Sequence, residues 1–163
     1  MIEIPLTQGK VALVDDCDAH FAAFKWYALR RRREWYAVRH PPKKDGVQPS
    51  VFLHREVLGL TDPSVMADHI NRNPLDCRRS NLRIATVRQN NYNRGKYATN
   101  TSGFTGVTRI SRSAKWQATI QVDGRRRYLG LFATPEAAAL AYDAAARQYF
   151  GAFARPNFTN EAP

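Results

Sequence analysis

The sequence predicts an α+β fold in two small parts. A β-rich N-terminal module closes on a strand, a loop, a second strand and a helix, and a three-stranded antiparallel sheet with one packed helix follows. Three observations carry this reading. Short apolar stretches broken by turn residues fill positions 1 to 60. The order strand, long polar loop, strand, helix runs from Met66 to Asn93. Beyond position 102, Trp116 to Val122 alternates apolar and polar residues, and Asp123-Gly124 follows it at once.

In the first part, strands are expected near 10 to 14, 25 to 30 and 35 to 39, with Asp16 as N-cap of a short helix through Phe24. Val51 to Leu58 reads as a strand leading into a helix. A short strand from Met66, a second at Leu82 to Ala85 and a helix opening at Thr86 complete the module. Gly95 to Ser102 is nearly free of apolar residues and marks a linker. The expected boundaries are therefore 1–94 for the first domain, its finger occupying about 50–94, 95–101 for the linker, 102–158 for the second domain and 159–163 for a tail.

In the second part, Phe104 to Ile110 and Arg125 to Phe132 flank Trp116 to Val122 as neighbouring strands. Asp123-Gly124 suits a type I′ turn, which needs positive φ at both central residues. Thr134-Pro135-Glu136 supplies an N-cap, a proline in the first helical turn and an early acid, and Gly151 a stop, so the helix spans 135 to about 150. Alanines 137, 141, 144 and 145 are expected to form the face that packs on the sheet.

Composition narrows the function. Lysine and arginine number 25 against 14 acidic residues in 163, a formal charge of +11, which favours a polyanionic partner over a neutral metabolite. With 44% hydrophobic residues the charge rides on a folded scaffold rather than a disordered tail. Cys17 and Cys77 form no CxxC pair, which argues against a structural zinc site or a disulfide framework. No stretch is long and apolar enough to span a membrane, so the expected location is cytoplasmic.

Asp68-His69 ends the short strand, Asn81 stands 12 residues later within Ser80-Asn81-Leu82-Arg83, and Asn90 lies 9 beyond that on the helix. Singly these are ordinary residues, since asparagines in loops commonly make Asx turns. Together, a strand end and a helix can meet at one point, where Asp68 and Asn90 offer oxygen ligands to a hard divalent cation and His69 is free to act as a base.

The stretches His54-Arg55, Asp68-His69-Ile70-Asn71-Arg72-Asn73-Pro74-Leu75-Asp76, Ser80-Asn81-Leu82-Arg83 and Gln89-Asn90-Asn91 resemble the HNH homing endonucleases of phage and bacterial mobile elements. The resemblance implies a ββα-metal finger in which His69 is the general base, Asp68 and Asn90 hold one Mg2+ or Mn2+ ion, and Asn81 fixes the loop that aims His69. Asn90 occupies a position where some members carry histidine. His54 either lines this active site or packs a helix against it, and Arg83 belongs to the same neighbourhood. Among the loop arginines, Arg72 and Arg79 are candidates for phosphate contact. The run Arg30 to Arg33 is compatible with backbone contact or with a solvated edge.

Residues 102 to 158 are similar to AP2-type DNA-binding domains through Gly103-Phe104-Thr105-Gly106-Val107, Lys115-Trp116, Tyr128-Leu129-Gly130, Thr134 to Tyr142, Gly151 and Asn157-Phe158. This resemblance implies a sheet that lies in the major groove, with Arg126 and Tyr128 as the best-matched contacts. Gln117, Gln121, Arg125 and Arg127 extend the candidate DNA face, and Arg109 and Arg112 are candidate phosphate ligands. Thr105, Thr108 and Gln121 depart from the plant members, so their base preference does not transfer.

The resulting expectation is a site-recognising, metal-dependent DNA endonuclease of the homing type. It takes duplex DNA, no membrane and no small-molecule cofactor, and is compatible with a monomer or a dimer. The alternative is a non-catalytic DNA-binding protein with a degenerate finger. RNA binding is poorer, because the sheet lacks an exposed aromatic pair for stacking bases. Residues 1–95 carry 16 basic and 10 acidic side chains and residues 96–163 carry 9 and 4, so both halves are basic.

Overall fold

A computed structural model describes residues 1–93 and 100–158. The expected linker at 95–101, except its last two positions, and the tail at 159–163 lie outside the described residues. The chain divides into two compact units, Met1–Asn90 and Asn91–Pro163, and the fold is mixed α+β with small antiparallel sheets.

In the first unit, β1 (Ile2–Pro5) pairs with β2 (Val11–Val14), setting Ile2 opposite Val14. The sequence reading omitted β1. Residues Asp16–Ala23 form the expected short helix, in 3-10 geometry, with Asp15 rather than Asp16 in the N-cap position. The Asp15 carboxylate accepts the Arg79 backbone N–H at 2.7 Å.

Strands β3 (Tyr27–Arg31), β4 (Glu34–Arg39) and β5 (Val51–Phe52) make one sheet in that order, followed by helix α1 (Leu53–Val57). Residues directly opposite each other share a face. Ala28 and Ala37 therefore turn together into a core with Ile4, Val14, Trp26, Leu53, Val57, Cys77 and Leu82. The other face carries Arg31, Tyr36, Val38 and Phe52.

The unit ends on a hairpin and a helix. β6 (Met66–His69) pairs with β7 (Leu82–Ala85) so that Asp68 faces Arg83 and His69 faces Leu82. Helix α2 (Val87–Tyr92) opens on a reciprocal cap. Gln89 donates its backbone N–H to Thr86 Oγ1 at 3.2 Å, and Thr86 donates its own to Gln89 Oε1 at 2.8 Å.

In the second unit, β8 (Val107–Arg109), β9 (Trp116–Val122) and β10 (Arg125–Phe132) form an antiparallel sheet with β9 central. Asp123 and Gly124 both take positive φ, +52° and +76°, as the tight turn requires. Helix α3 (Pro135–Phe150) packs on the sheet, its first turn closed by the Ala137 N–H donated to Thr134 Oγ1 at 3.2 Å. Of the four alanines expected on the packed face, Ala145 is buried and Ala141 packs against the core, whereas Ala137 is half-buried and Ala144 exposed; Ala138, Ala139, Ala146 and Phe150 complete the buried face. Gly106 explains how close the layers come: a Cβ there would stand 2.1 Å from the Tyr142 ring, and its φ of +75° suits glycine alone.

Candidate active site

The β6–β7 hairpin and α1 bring the His69 and His54 rings together, with Asp68 next to His69 on β6 and facing Arg83 across the hairpin. Asp68, His69 and His54 are each less than one-tenth exposed. The His54 and His69 rings meet edge to face, with centroids 4.9 Å apart and planes at 73°. His54 also touches Phe52 at 5.5 Å and Tyr36 at 6.0 Å, which places it between the β3–β4–β5 sheet and β6. Its Nδ1 is buried and has no hydrogen-bond partner among the described residues. The neighbouring Arg55 does different work: its guanidinium donates to the Val65 carbonyl at 2.7 Å and the Asp62 carbonyl at 2.6 Å, tying down the loop that leads into β6.

Both imidazoles are held neutral. Burial, then the His69 and Arg55 charges, push His54 down to about 3. Burial pushes His69 down to about 4 against the opposing pull of Asp68 and Asp76. Asp68 Oδ2 accepts from Arg83 Nε at 2.8 Å and lies 2.6 Å from Arg83 Nη2, an ion pair across the β6–β7 register.

Asn81 organises the loop between the strands. Its Oδ1 accepts the Asn71 N–H at 2.9 Å, its Nδ2 donates to the Asp76 carbonyl at 2.7 Å, and its own carbonyl accepts the Ile70 N–H at 2.9 Å. One side chain therefore bridges both ends of a loop that begins directly after His69. Asn71 and Asn73 make the Asx turns expected of loop asparagines, each accepting an N–H two residues on. Buried Asp76 accepts from Asn71 Nδ2 and, in a fork, from Arg78.

The first 25 residues hold this loop from outside. β2 brackets it through Leu13, whose N–H donates to Leu75 O and whose carbonyl accepts the Cys77 N–H, both at 2.8 Å. Arg79 donates to both oxygens of buried Asp18 at 2.8 and 2.7 Å. No sequence signal links Asp15 or Asp18 to Arg79, more than 60 positions away, so the reading missed both acids and Asp76. Arg79 thus carries an internal ion pair, whereas Arg72 is exposed at a left-handed φ of +62° just after the strand.

Asn90 stands half-buried on α2, its backbone N–H donated to Thr86 O at 2.9 Å. The donor chemistry of Asp68 and Asn90, one carboxylate and one amide oxygen, fits a hard divalent ion that keeps most of its waters. No group of three His, Cys, Asp or Glu able to enclose a metal occurs among the described residues.

In the second unit the sheet register sorts the candidates. Gln117, Thr119 and Gln121 face away from α3, opposite Leu131, Tyr128 and Arg126. On this open face Tyr128 is 60% exposed. Arg125 and Arg127 pair with Val122 and Ile120 and so belong to the helix side, where Arg127 lies over the Tyr149 ring at 5.1 Å. Arg109 lies over Trp116 at 6.0 Å, and Arg112 is exposed in the β8–β9 turn.

Comparison with known proteins decides the family. The HNH endonuclease family model matches residues 64–92, the stretch from before β6 to the end of α2. A protein of Acanthamoeba polyphaga mimivirus described as an uncharacterized HNH endonuclease is 32% identical over 135 residues, covering 82% of this chain and 67% of the relative. The chain belongs to the HNH endonuclease family. Protein 3.8 of Escherichia phage T7 is 34% identical over 59 residues, 36% of this chain and 49% of that protein. As an HNH endonuclease the protein is a nuclease, a hydrolase whose family implies DNA as substrate. No helix among the described residues is long and apolar enough to cross a membrane.

Proposed function

We propose that this HNH endonuclease is a site-recognising, metal-dependent enzyme of the homing type, with its reaction centre at His69. The observation that carries the reading is the meeting of the His69 and His54 rings, with Asp68 beside His69 on β6, at one end of a hairpin whose loop Asn81 braces. In this reading β6, β7 and α2 are a ββα-metal finger. Asp68 and Asn90 hold one Mg2+ or Mn2+ ion, which when bound neutralises phosphate charge and stabilises the leaving oxygen.

The chain's own residues do the rest. His69, neutral at pH 7, accepts the proton of the attacking water at a ring nitrogen, and the phosphorus bond to the 3′ oxygen breaks. An anionic phosphate beside the ring raises its proton affinity, which counters the desolvation that lowers it in the free protein. Asn81 positions His69 by fixing the loop behind it. Arg83 holds the Asp68 carboxylate in place, and His54 packs the ring of His69. Arg72 serves as a phosphate ligand, while the Asp18 pair gives Arg79 a bracing role beside any phosphate contact.

In the same reading the domains are 1–94 and 102–158, and the second is an AP2-like reader. Its open sheet face presents Arg126, Tyr128, Gln117 and Gln121 to the major groove, where arginine suits guanine and glutamine suits adenine. Arg112, exposed in the β8–β9 turn, grips the backbone beside that face, while Arg109, Arg125 and Arg127 belong to the helix side of the sheet and lie outside it.

Supercoiled plasmid carrying a cognate site, incubated with Mg2+, Mn2+ or a chelator, tests this directly. Nicked or linear product confined to the metal reactions is expected. Product in the chelator lane would contradict the metal dependence, and random cutting would contradict site recognition.

A further inference from the structure

The β3–β4 hairpin ends in four consecutive exposed arginines, Arg30 to Arg33, with Arg32 and Arg33 forming the two-residue turn between paired Arg31 and Glu34. Other arginines of the first unit are engaged inside it: Arg39 with Glu56, Arg55 with loop carbonyls, Arg78 with Asp76, Arg79 with Asp18 and Arg83 with Asp68. The hairpin arginines bind no carboxylate among the described residues, and the nearest in sequence, Glu34, accepts instead from the Tyr36 hydroxyl at 3.2 Å. Four like charges on one tip repel, and a polyanion relieves that repulsion.

The tip is also built against local preference. Arg32 sits at φ +56°, a left-handed conformation that costs a non-glycine residue about 1 kcal/mol. Glycine or asparagine would turn there more easily, yet the position holds a cation. Two of the arginines are pre-organised by aromatic rings, Arg30 over Trp35 at 5.8 Å and Arg31 over Phe52 at 4.8 Å. A stacked guanidinium keeps its edge donors for a phosphate.

The position ties the tip to the chemistry. Arg31 shares the sheet face of Tyr36 and Phe52, and the contacts run from Arg31 to Phe52 at 4.8 Å, to His54 at 5.5 Å and to His69 at 4.9 Å. Laid end to end along a duplex, that path spans no more than about four to five base-pair rises of 3.4 Å.

We propose that Arg31, Arg32 and Arg33 form a phosphate-binding prong that grips the DNA backbone within a few base pairs of the cleavage point. The proposal rests on the reading of His69 as the cleavage centre, and binding and cleavage measured separately distinguish the two. The full chain carrying His69→Ala, which binds without cutting, is titrated with a short duplex between roughly 50 and 200 mM salt, with and without Arg31→Gln, Arg32→Gly and Arg33→Gln. Loss of three phosphate contacts should lower the log–log salt slope by about 2 to 3 and weaken low-salt binding at least tenfold. Arg32→Gly alone relieves the turn while removing one charge, so it should fold normally and lower the slope by about 0.9. A slope and affinity unchanged in the folded variants overturns the prong, whatever the plasmid assay shows. Absence of plasmid cleavage by the unmutated chain overturns the cleavage centre and leaves the binding result standing.

Discussion

The His54 ring presents itself edge to face to the His69 ring at 4.9 Å, from a different element of the chain. A buried aromatic contact of this kind contributes about 0.5–1.5 kcal/mol and fixes a ring's orientation. His54→Ala should therefore lower kcat for nicking by about tenfold or more while leaving DNA affinity within twofold. His54→Phe, which keeps the ring contact and removes the titrating group, should restore most of the rate. A rise in KM with kcat intact would assign His54 to DNA binding instead.

The same pair makes stability depend on pH. Folding lowers both histidines, His54 to about 3 and His69 to about 4, from an ordinary 6.5. As pH falls below 6.5 the unfolded chain takes up protons that the folded chain refuses, so stability is complete above that value and is lost on the way down to about 4 for His69 and about 3 for His54. Each group contributes a slope of about 1.4 kcal/mol per pH unit inside its window. Thermal unfolding should thus shift to lower temperature between pH 7 and 5, and His54→Leu should flatten the shift by about half. An unaltered pH profile in that variant would show that His54 titrates normally.

Asn81 uses both a donor and an acceptor on the loop, which makes Asn81→Asp a sharp test. The carboxylate keeps the acceptor for Asn71 but sets a second oxygen against the Asp76 carbonyl. Stability should fall by about 1–3 kcal/mol in chemical denaturation, with nicking reduced far more than DNA binding. Equal loss of binding and cleavage would place Asn81 in global folding alone.

In the second unit, Asp143 is fully buried within α3 and accepts the Asn157 and Phe158 backbone N–H groups at 2.6 and 2.9 Å and the Asn157 side chain at 3.0 Å. Asn157 Oδ1 in turn accepts the Thr105 backbone N–H at 2.6 Å. Asp143→Leu strands these donors and should destabilise the unit by about 3 kcal/mol, visible as an earlier unfolding transition. A transition that does not move would show that the bonds contribute nothing net.

What the sequence disclosed is local in character. The alternation of Trp116 to Val122, the Asp123-Gly124 turn and the Thr134-Pro135 start are each decided within a few residues, and each matches the structure to the residue. The strand expected at Phe104 to Ile110 shrinks to Val107–Arg109, because Gly103 and Gly106 take positive φ and the Phe104 carbonyl accepts from Asn100 and Ser102 side chains. At the candidate site, the Asp68, His69 and Asn81 spacing was legible. The edge contact of His54, the Asp18–Arg79 brace and the β2 bracket were not, since they join elements whose meeting depends on the packed core.

The central claim is that His69 performs the chemistry. Its most direct test is the single-turnover nicking rate of His69→Ala beside the unmutated chain, at equal DNA occupancy and in the same divalent metal. The account predicts a fall of about 100-fold or more with binding preserved. A rate within a few fold of the unmutated chain would contradict it.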